Sequence, residues 1–264
     1  MKRSIFNYIS QEVNGPTLLF NTAKETLVEL EQKTLDQYER NDLDSDTQAA
    51  MADLGFLVAD DVDELASLEF KWKNNFTSSK KLELTVMVTD ACNFRCPYCY
   101  QAHSTHNMGI EETNRLCRYL MKFIDNGVEF INIHWFGGEP LLNTAPIFYI
   151  EHFLKEKGIK GSSNVTTNGY LLTDELLHRF REETRIHAFQ ITLDGTEKLH
   201  NKTRRHVSGE PTYKRICSNI VSATQNSFFV IIRLNMTKEN QNLDAFLAEI
   251  NALGLPRSRY FIHI

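Results

Sequence analysis

From residue 82 onward, short apolar runs alternate with segments whose apolar residues recur at helical spacing. The runs at 82–88, 128–135, 163–167, 187–193, 228–234 and 260–264 read as strands. Between them, 111–125, 146–157, 174–183, 212–224 and 243–253 carry the i, i+3, i+4 pattern of amphipathic helices. Strand–helix units repeated in this way predict a parallel sheet with right-handed crossovers. Six such units predict an α/β fold built on a parallel sheet.

Residues 1–80 are patterned differently. Two β-prone runs, 4–10 and 16–21, flank Asn14-Gly15, a hairpin signal. Residues 22–34 show helical spacing. The acidic break at 41–46 offers a cap for a helix over 47–54, and Gly55-Phe-Leu-Val leads to a further helix from 62 to about 74. A polar, Ser-rich stretch at 74–81 marks a boundary. The expected organisation is a small α+β domain over 1–80 and a larger α/β domain over 81–264.

Composition narrows the class. The 264 residues are 42% hydrophobic and 24% charged, as in a soluble globular protein. A net charge of −5 argues against a surface that coats nucleic acid. No run of 18 apolar residues is present, and the amino terminus lacks an apolar signal core, so a cytoplasmic protein without a membrane partner is expected. Five cysteines, three of them clustered, suit a reducing compartment better than a disulfide framework.

The cluster is the chain's most specific chemical signal. Thr89-Asp-Ala-Cys-Asn-Phe-Arg-Cys-Pro-Tyr-Cys-Tyr100 sets Cys92, Cys96 and Cys99 at C-x3-C-x2-C directly after a strand. Three thiolates can hold three irons of a [4Fe–4S] cube and leave the fourth open. The competing reading is a structural zinc site completed by His103 or His106, although zinc sites more often use C-x2-C in pairs. Cys117 and Cys217 each lie in a helical segment and read as small buried hydrophobes.

The remaining punctuated motifs all fall at carboxyl ends of predicted strands, where parallel α/β folds place ligands. Gly137-Gly138-Glu139-Pro140 follows the second strand; a carboxylate and open carbonyls there can accept from an ammonium group. Thr166-Thr167-Asn168-Gly169 closes the third, with hydroxyls and an amide suited to a carboxylate or ribose. Gln190, Thr192 and Asp194 share one face of the fourth by alternation. Arg204 and Arg205 follow, and either can pair with a carboxylate bidentately. Asn235 ends the fifth strand. His134 reads as a satisfied core or supporting histidine.

The C-N-F-R-C-P-Y-C-Y loop resembles the signature of the radical S-adenosylmethionine (SAM) enzymes, and the later motifs extend the resemblance. It implies a partial (β/α)6 barrel in which Cys92, Cys96 and Cys99 ligate a [4Fe–4S] cluster. SAM is cleaved there to methionine and a 5′-deoxyadenosyl radical that abstracts hydrogen from substrate. The same resemblance implies that Gly137, Gly138 and Glu139 hold the SAM amino group, and that the Tyr98 backbone faces adenine. Thr166, Asn168, Thr192, Asp194, Arg204 and Asn235 would line the rest.

The segment from Thr192-Leu-Asp-Gly195 through His200 to Arg204 resembles the subgroup that modifies peptides and proteins. Residues 1–80, with their Leu-Gly-Phe-Leu-Val step, resemble the amino-terminal region of radical SAM peptide maturases. In some of these a winged-helix-like module grips a precursor's leader; a cap over the main domain is the alternative.

The resemblance implies a ribosomal peptide matured by a thioether or carbon–carbon link, and an electron donor such as flavodoxin or ferredoxin. Formylglycine formation in a sulfatase, a small-molecule or RNA substrate, and a zinc-binding interaction module are the alternatives. Such maturases usually continue into a cysteine-rich extension that binds auxiliary clusters, so the chain is expected either to be cut short at its carboxyl end or to be a short member without those clusters.

Overall fold

Period-two alternation governs the strands of the larger part of the chain. The computed structural model describes residues 1–11, 16–76 and 80–264. By its contacts the chain divides into two compact units, Met1–Ser78 and Ser79–Ile264. The Asn14-Gly15 turn lies outside the described residues.

The first unit contains β1 (Lys2–Arg3), β2 (Asn7–Gln11), β3 (Thr17–Asn21), β4 (Thr26–Leu30), α1 (Gln32–Arg40), α2 (Ser45–Asp53), β5 (Leu57–Val58) and α3 (Glu64–Phe76). Strands β2, β3 and β4 form an antiparallel meander, and β5 pairs antiparallel with β1. Its core is Leu19, Leu30, Leu35, Tyr38, Met51, Phe56 and Leu57. Asp44 caps α2 through the amides of Asp46 and Thr47, the role expected of the acidic break.

The helical expectation for 22–34 is overturned: Thr26–Leu30 is a strand. Buried Asn21 accepts from the amides of Ala23 and Lys24, and Glu25 adopts a φ of 56°, so the chain turns back before a helix can start. Leu27 and Glu29 then face outward while Val28 and Leu30 pack inward.

The second unit runs β6 (Lys81–Met87), α4 (Ile110–Asp125), β7 (Phe130–Phe136), α5 (Ala145–Glu156), β8 (Ser163–Thr167), α6 (Asp174–Glu183), β9 (Ile186–Thr192), α7 (Glu197–Thr203), α8 (Tyr213–Gln225), β10 (Phe229–Arg233), α9 (Leu243–Ala252) and β11 (Tyr260–His263). The six strands lie side by side in chain order, all parallel, with β6 and β11 at the two edges. This is the partial (β/α)6 barrel, accompanied by a small α+β amino-terminal unit.

On β7, Ile131, Ile133 and Trp135 are buried, whereas Asn132, His134 and Phe136 are half-buried on the other face. Register carries that second face across the sheet: His134 pairs with Thr85 and Asn164, and Gln190 with Thr166 and Ile231. Cys117 and Cys217 are buried on α4 and α8. Helix α7, seven residues with only His200 buried, lies in what the sequence read as a long connection. A largely buried ion pair, Glu151–Arg185 at 2.9 Å, braces the amino-terminal end of the strands; Trp135 and Ser163 also donate to Glu151. Among the described residues, no helix is long and apolar enough to cross a membrane.

Candidate functional site

The loop after β6 is tied down at both ends. Met108 N–H donates to Val88 O at 2.9 Å, and Asp90 N–H to His106 O at 3.0 Å. The Thr89 hydroxyl donates to Asn107 Oδ1 at 2.6 Å. Midway, Arg95 N–H donates to Arg205 O at 2.8 Å and Val207 N–H to Asn93 O at 2.9 Å, fixing the loop to the segment after α7. Phe94, 1% exposed, is the apolar pin of this arrangement; its ring meets Tyr170 and His206 edge-on.

A cavity of about 350 Å³ opens at the carboxyl ends of the strands. Cys92, Cys96 and Cys99 all line it, each half-buried. Burial pushes the Cys92 thiol up to about 11 and raises that of Cys96. Such thiols hold their protons until a metal displaces them. Among the described residues, no three His, Cys, Asp or Glu side chains are grouped to hold a single metal ion.

Gly137 and Gly138 also line the cavity. The backbone they approach most closely is the chain's own: a Cβ on Gly137 would collide with Thr89 O, and one on Gly138 with the carbonyls of Asp90 and Ala91. Gly138 N–H and Glu139 N–H donate to Thr89 O and Ala91 O, both at 2.8 Å. The pair therefore seats the turn after β7 against the cysteine loop.

Glu139 departs from the expectation of an acceptor open to an ammonium group. It is 0% exposed and off the cavity wall. Its carboxylate accepts from Leu141 N–H at 3.0 Å, the Thr167 hydroxyl at 2.6 Å and Asn168 N–H at 2.7 Å. Burial raises its pKa against the pull of these donors. The residue braces the turns after β7 and β8.

Thr166, Asn168, Thr192 and Asn235 reach the cavity. The Thr166 hydroxyl lies 2.7 Å from His134 Nε2, and burial lowers the His134 pKa, which keeps that ring neutral. Asn168 Nδ2 donates to Asn93 Oδ1 at 2.7 Å. Asp194 turns away from the cavity: it accepts from the Tyr98 hydroxyl, and from Asn235 Nδ2 at 3.2 Å. Tyr98 in turn accepts from Arg204 Nη1 at 2.8 Å, so its phenol bridges a carboxylate and a guanidinium. Burial raises the Tyr98 pKa.

The structure separates the two arginines that the sequence left equivalent. Arg204 is 8% exposed and lines the cavity; Arg205 is exposed and outside it, its Nε donating to Lys202 O. Arg204 Nε, Asn93 Nδ2 and His103 Nδ1 are buried without a hydrogen-bond partner. Arg204 and His103 line the cavity, and a buried guanidinium with an unpartnered Nε there can take an anionic ligand. Three thiols, the guanidinium groups of Arg204 and Arg233, and a set of amides and hydroxyls fit an iron–sulfur cluster beside a ligand with carboxylate and hydroxyl groups. Sequence reasoning missed Asn93 and the Asp194–Tyr98–Arg204 chain, in which Tyr98 lies 96 positions from Asp194 and 106 from Arg204.

Residues 86–249 match the Radical SAM superfamily. A serine-type anaerobic sulfatase-maturating enzyme of Bacteroides thetaiotaomicron is 30% identical over 142 residues, covering 49% of this chain and 33% of the relative. The radical SAM cyclopropyl synthase TigE of Paramaledivibacter caminithermalis is 24% identical over 178 residues, covering 56% of this chain and 37% of the relative. Among solved structures, native anSMEcpe with bound AdoMet and Kp18Cys peptide superposes with a TM-score of 0.58 at 16% identity, over 70% of this chain and 52% of that one. Streptococcus suis SuiB bound to precursor peptide SuiA gives 0.52 at 17% identity, over 98% and 62%. The chain thus spans about a third of the length of these curated relatives. With the family's profile matched over more than half its length, the chain belongs to the radical SAM superfamily.

Proposed function

We propose that this protein is a radical SAM enzyme that modifies a ribosomally made peptide, forming a thioether or carbon–carbon link. The observation that carries the cofactor assignment is the convergence of Cys92, Cys96 and Cys99 with Gly137, Gly138 and Arg204, whose Nε has no partner, on one cavity. When bound, the cluster and SAM supply one-electron cleavage and hydrogen-atom abstraction, chemistry that belongs to the cofactors. The three cysteines hold the cluster. Arg204 offers its free guanidinium edge to the SAM carboxylate, and Tyr98, held by Asp194, fixes the angle of that edge. Thr166, Asn168, Thr192 and Asn235 present hydroxyl and amide groups to ribose and carboxylate oxygens. Neutral His134 orients the Thr166 hydroxyl.

The peptide substrate is supported by the kind of relatives matched, and by the likeness to SuiB, which extends through the amino-terminal unit. We assign that unit to leader recognition and the protein to the reducing cytoplasm. Formylglycine formation is the second reading, favoured by the 30% identity to a sulfatase-maturating enzyme. The test is anaerobic reconstitution with iron and sulfide counted, then dithionite and SAM, with 5′-deoxyadenosine read by mass spectrometry. About four irons and cleavage that vanishes in Cys96→Ala are expected. One zinc, no iron and no cleavage would sink the proposal.

A further inference from the structure

Two arginines line the cavity, and they are tied to different parts of its wall. Arg204 reaches into the cysteine loop: it donates to Tyr98, between Cys96 and Cys99, and lies over the ring of Phe94, between Cys92 and Cys96. Arg233 ends β10, which β9, β8 and β7 separate from β6 and the loop that follows it. Alternation along β10 buries Val230 and Ile232 and leaves Arg233 exposed, in register with Thr192 of β9 and His263 of β11. Arg233 and Asn235 also line a smaller depression of about 250 Å³, together with Met236 and His263.

One buried carboxylate aims both guanidiniums. Asp194, 3% exposed, accepts at Oδ2 from the Tyr98 hydroxyl, which accepts from Arg204 Nη1 at 2.8 Å. At Oδ1 it accepts from Asn235 Nδ2 at 3.2 Å, and Asn235 Oδ1 accepts from Arg233 Nε at 3.1 Å. Each arginine is therefore held one neutral side chain away from the same acid. Among the described residues, the Nε bond is the only hydrogen bond of the Arg233 side chain, and no carboxylate pairs with it. A guanidinium fixed at Nε with both Nη groups open presents the fork that a carboxylate takes bidentately. No Asp or Glu is among the residues lining the cavity to take it. SAM has a single carboxylate, and Arg204 beside the cysteines is assigned to it above. The second fork is left for an anion of the second molecule that the cavity must admit.

We propose that Arg233 is a specificity-determining residue that holds a carboxylate of the peptide substrate, so that the segment entering the cavity is an acidic one. Asn235 is its positioning residue, fixing the fork through Asp194. The inference rests on the cofactor and peptide readings above. The carboxylate can come from an Asp or Glu side chain or from a peptide's carboxyl terminus; the chemistry recognised is the same.

The experiment uses the reconstituted protein loaded with S-adenosylhomocysteine, which keeps the carboxylate of SAM and has no sulfonium to cleave. The probes are acetyl-Gly-Asp-Gly-amide, acetyl-Gly-Asn-Gly-amide and acetyl-Gly-Gly-Gly with a free carboxyl terminus, each titrated by NMR line broadening. Wild type should bind a carboxylate probe at least about tenfold more tightly than the Asn probe, and which of the two it prefers tells side chain from terminus. Arg233→Gln should erase that preference, while iron content and the calorimetric affinity for S-adenosylhomocysteine stay within about twofold of wild type. Arg233→Lys keeps the charge without the fork and should retain part of the preference, which separates lost recognition from a misfolded variant. Equal binding of all three probes by wild type, or none, overturns the proposal, as does a preference that survives Arg233→Gln. A loss of about tenfold in S-adenosylhomocysteine affinity in Arg233→Gln overturns it too, by giving Arg233 to the cofactor's own carboxylate. A wild type that takes up no iron and no S-adenosylhomocysteine, yet keeps an Arg233-dependent preference, would sink the cofactor reading and leave the carboxylate anchor standing.

Discussion

His200 gives a pH dependence that can be worked from the structure. Its ring is 0% exposed, with Nδ1 accepting from Asp194 N–H at 3.3 Å and Nε2 buried without a partner. Burial first, and the Arg204 charge second, depress its pKa to about 3. Unfolded, the group titrates near 6.5. The folded state therefore binds fewer protons than the unfolded state between these values. The stability linked to neutral His200 is fully present above 6.5 and is lost as pH falls toward 3. At pH 5 the loss is about 1.5 pH units times 1.36 kcal/mol, or about 2 kcal/mol. His200→Asn removes the titration while Oδ1 can still accept near the Nδ1 position. Urea unfolding of both proteins, followed by circular dichroism at pH 7 and pH 5, should show the wild-type advantage shrinking by about 2 kcal/mol. Curves that keep the same gap within about 0.5 kcal/mol at both pH values would refute the reasoning.

Other substitutions separate brace from ligand contact. Glu139→Ala strands three buried donors, at about 1–3 kcal/mol each, and should cost about 3 kcal/mol or more in urea unfolding. Gly138→Ala sets a Cβ against two backbone carbonyls and should weaken SAM binding at least about tenfold in equilibrium titration, by moving the turn off the cysteine loop. Arg185→Met leaves the buried Glu151 carboxylate without its cation and should destabilise the fold by about 3–5 kcal/mol. SAM affinity should be unchanged there, since the pair lies at the opposite end of the strands from the cavity.

How far the sequence could be read depended on whether the cause was local. The strand at 163–167 and the helix at 174–183 were legible to the residue, because alternation, turn residues and the Thr173 cap all lie within one element. The stretch 22–34 was not, because its strand depends on Asn21 closing a turn and on pairing with β3. The loop motifs located the cavity. Which side chains enter it was decided by contacts across the chain: Tyr98 reaches Asp194, Asn93 reaches Asn168, and adjacent Arg204 and Arg205 part company around Phe94. Local sequence carries no trace of these pairings.

The fate of the two motif carboxylates explains the polarity of the site. Glu139 and Asp194 each end a strand motif where a direct ligand contact was expected, yet neither lines the cavity. Glu139 joins the turns after β7 and β8; Asp194 joins the turn after β9 to the cysteine loop through Tyr98 and to Asn235 beyond β10. Both spend their acceptors on the chain's own donors, so the edge of the sheet is fastened together by its acids. What remains on the wall includes the Arg204 and Arg233 guanidiniums, the His103 ring, amides, hydroxyls and three thiols. In a space of low dielectric, an exposed acid would repel both thiolates and a carboxylate ligand. Turning the acids inward lets the same residues bind the loops together and keeps their carboxylates off the wall that carries the three thiols.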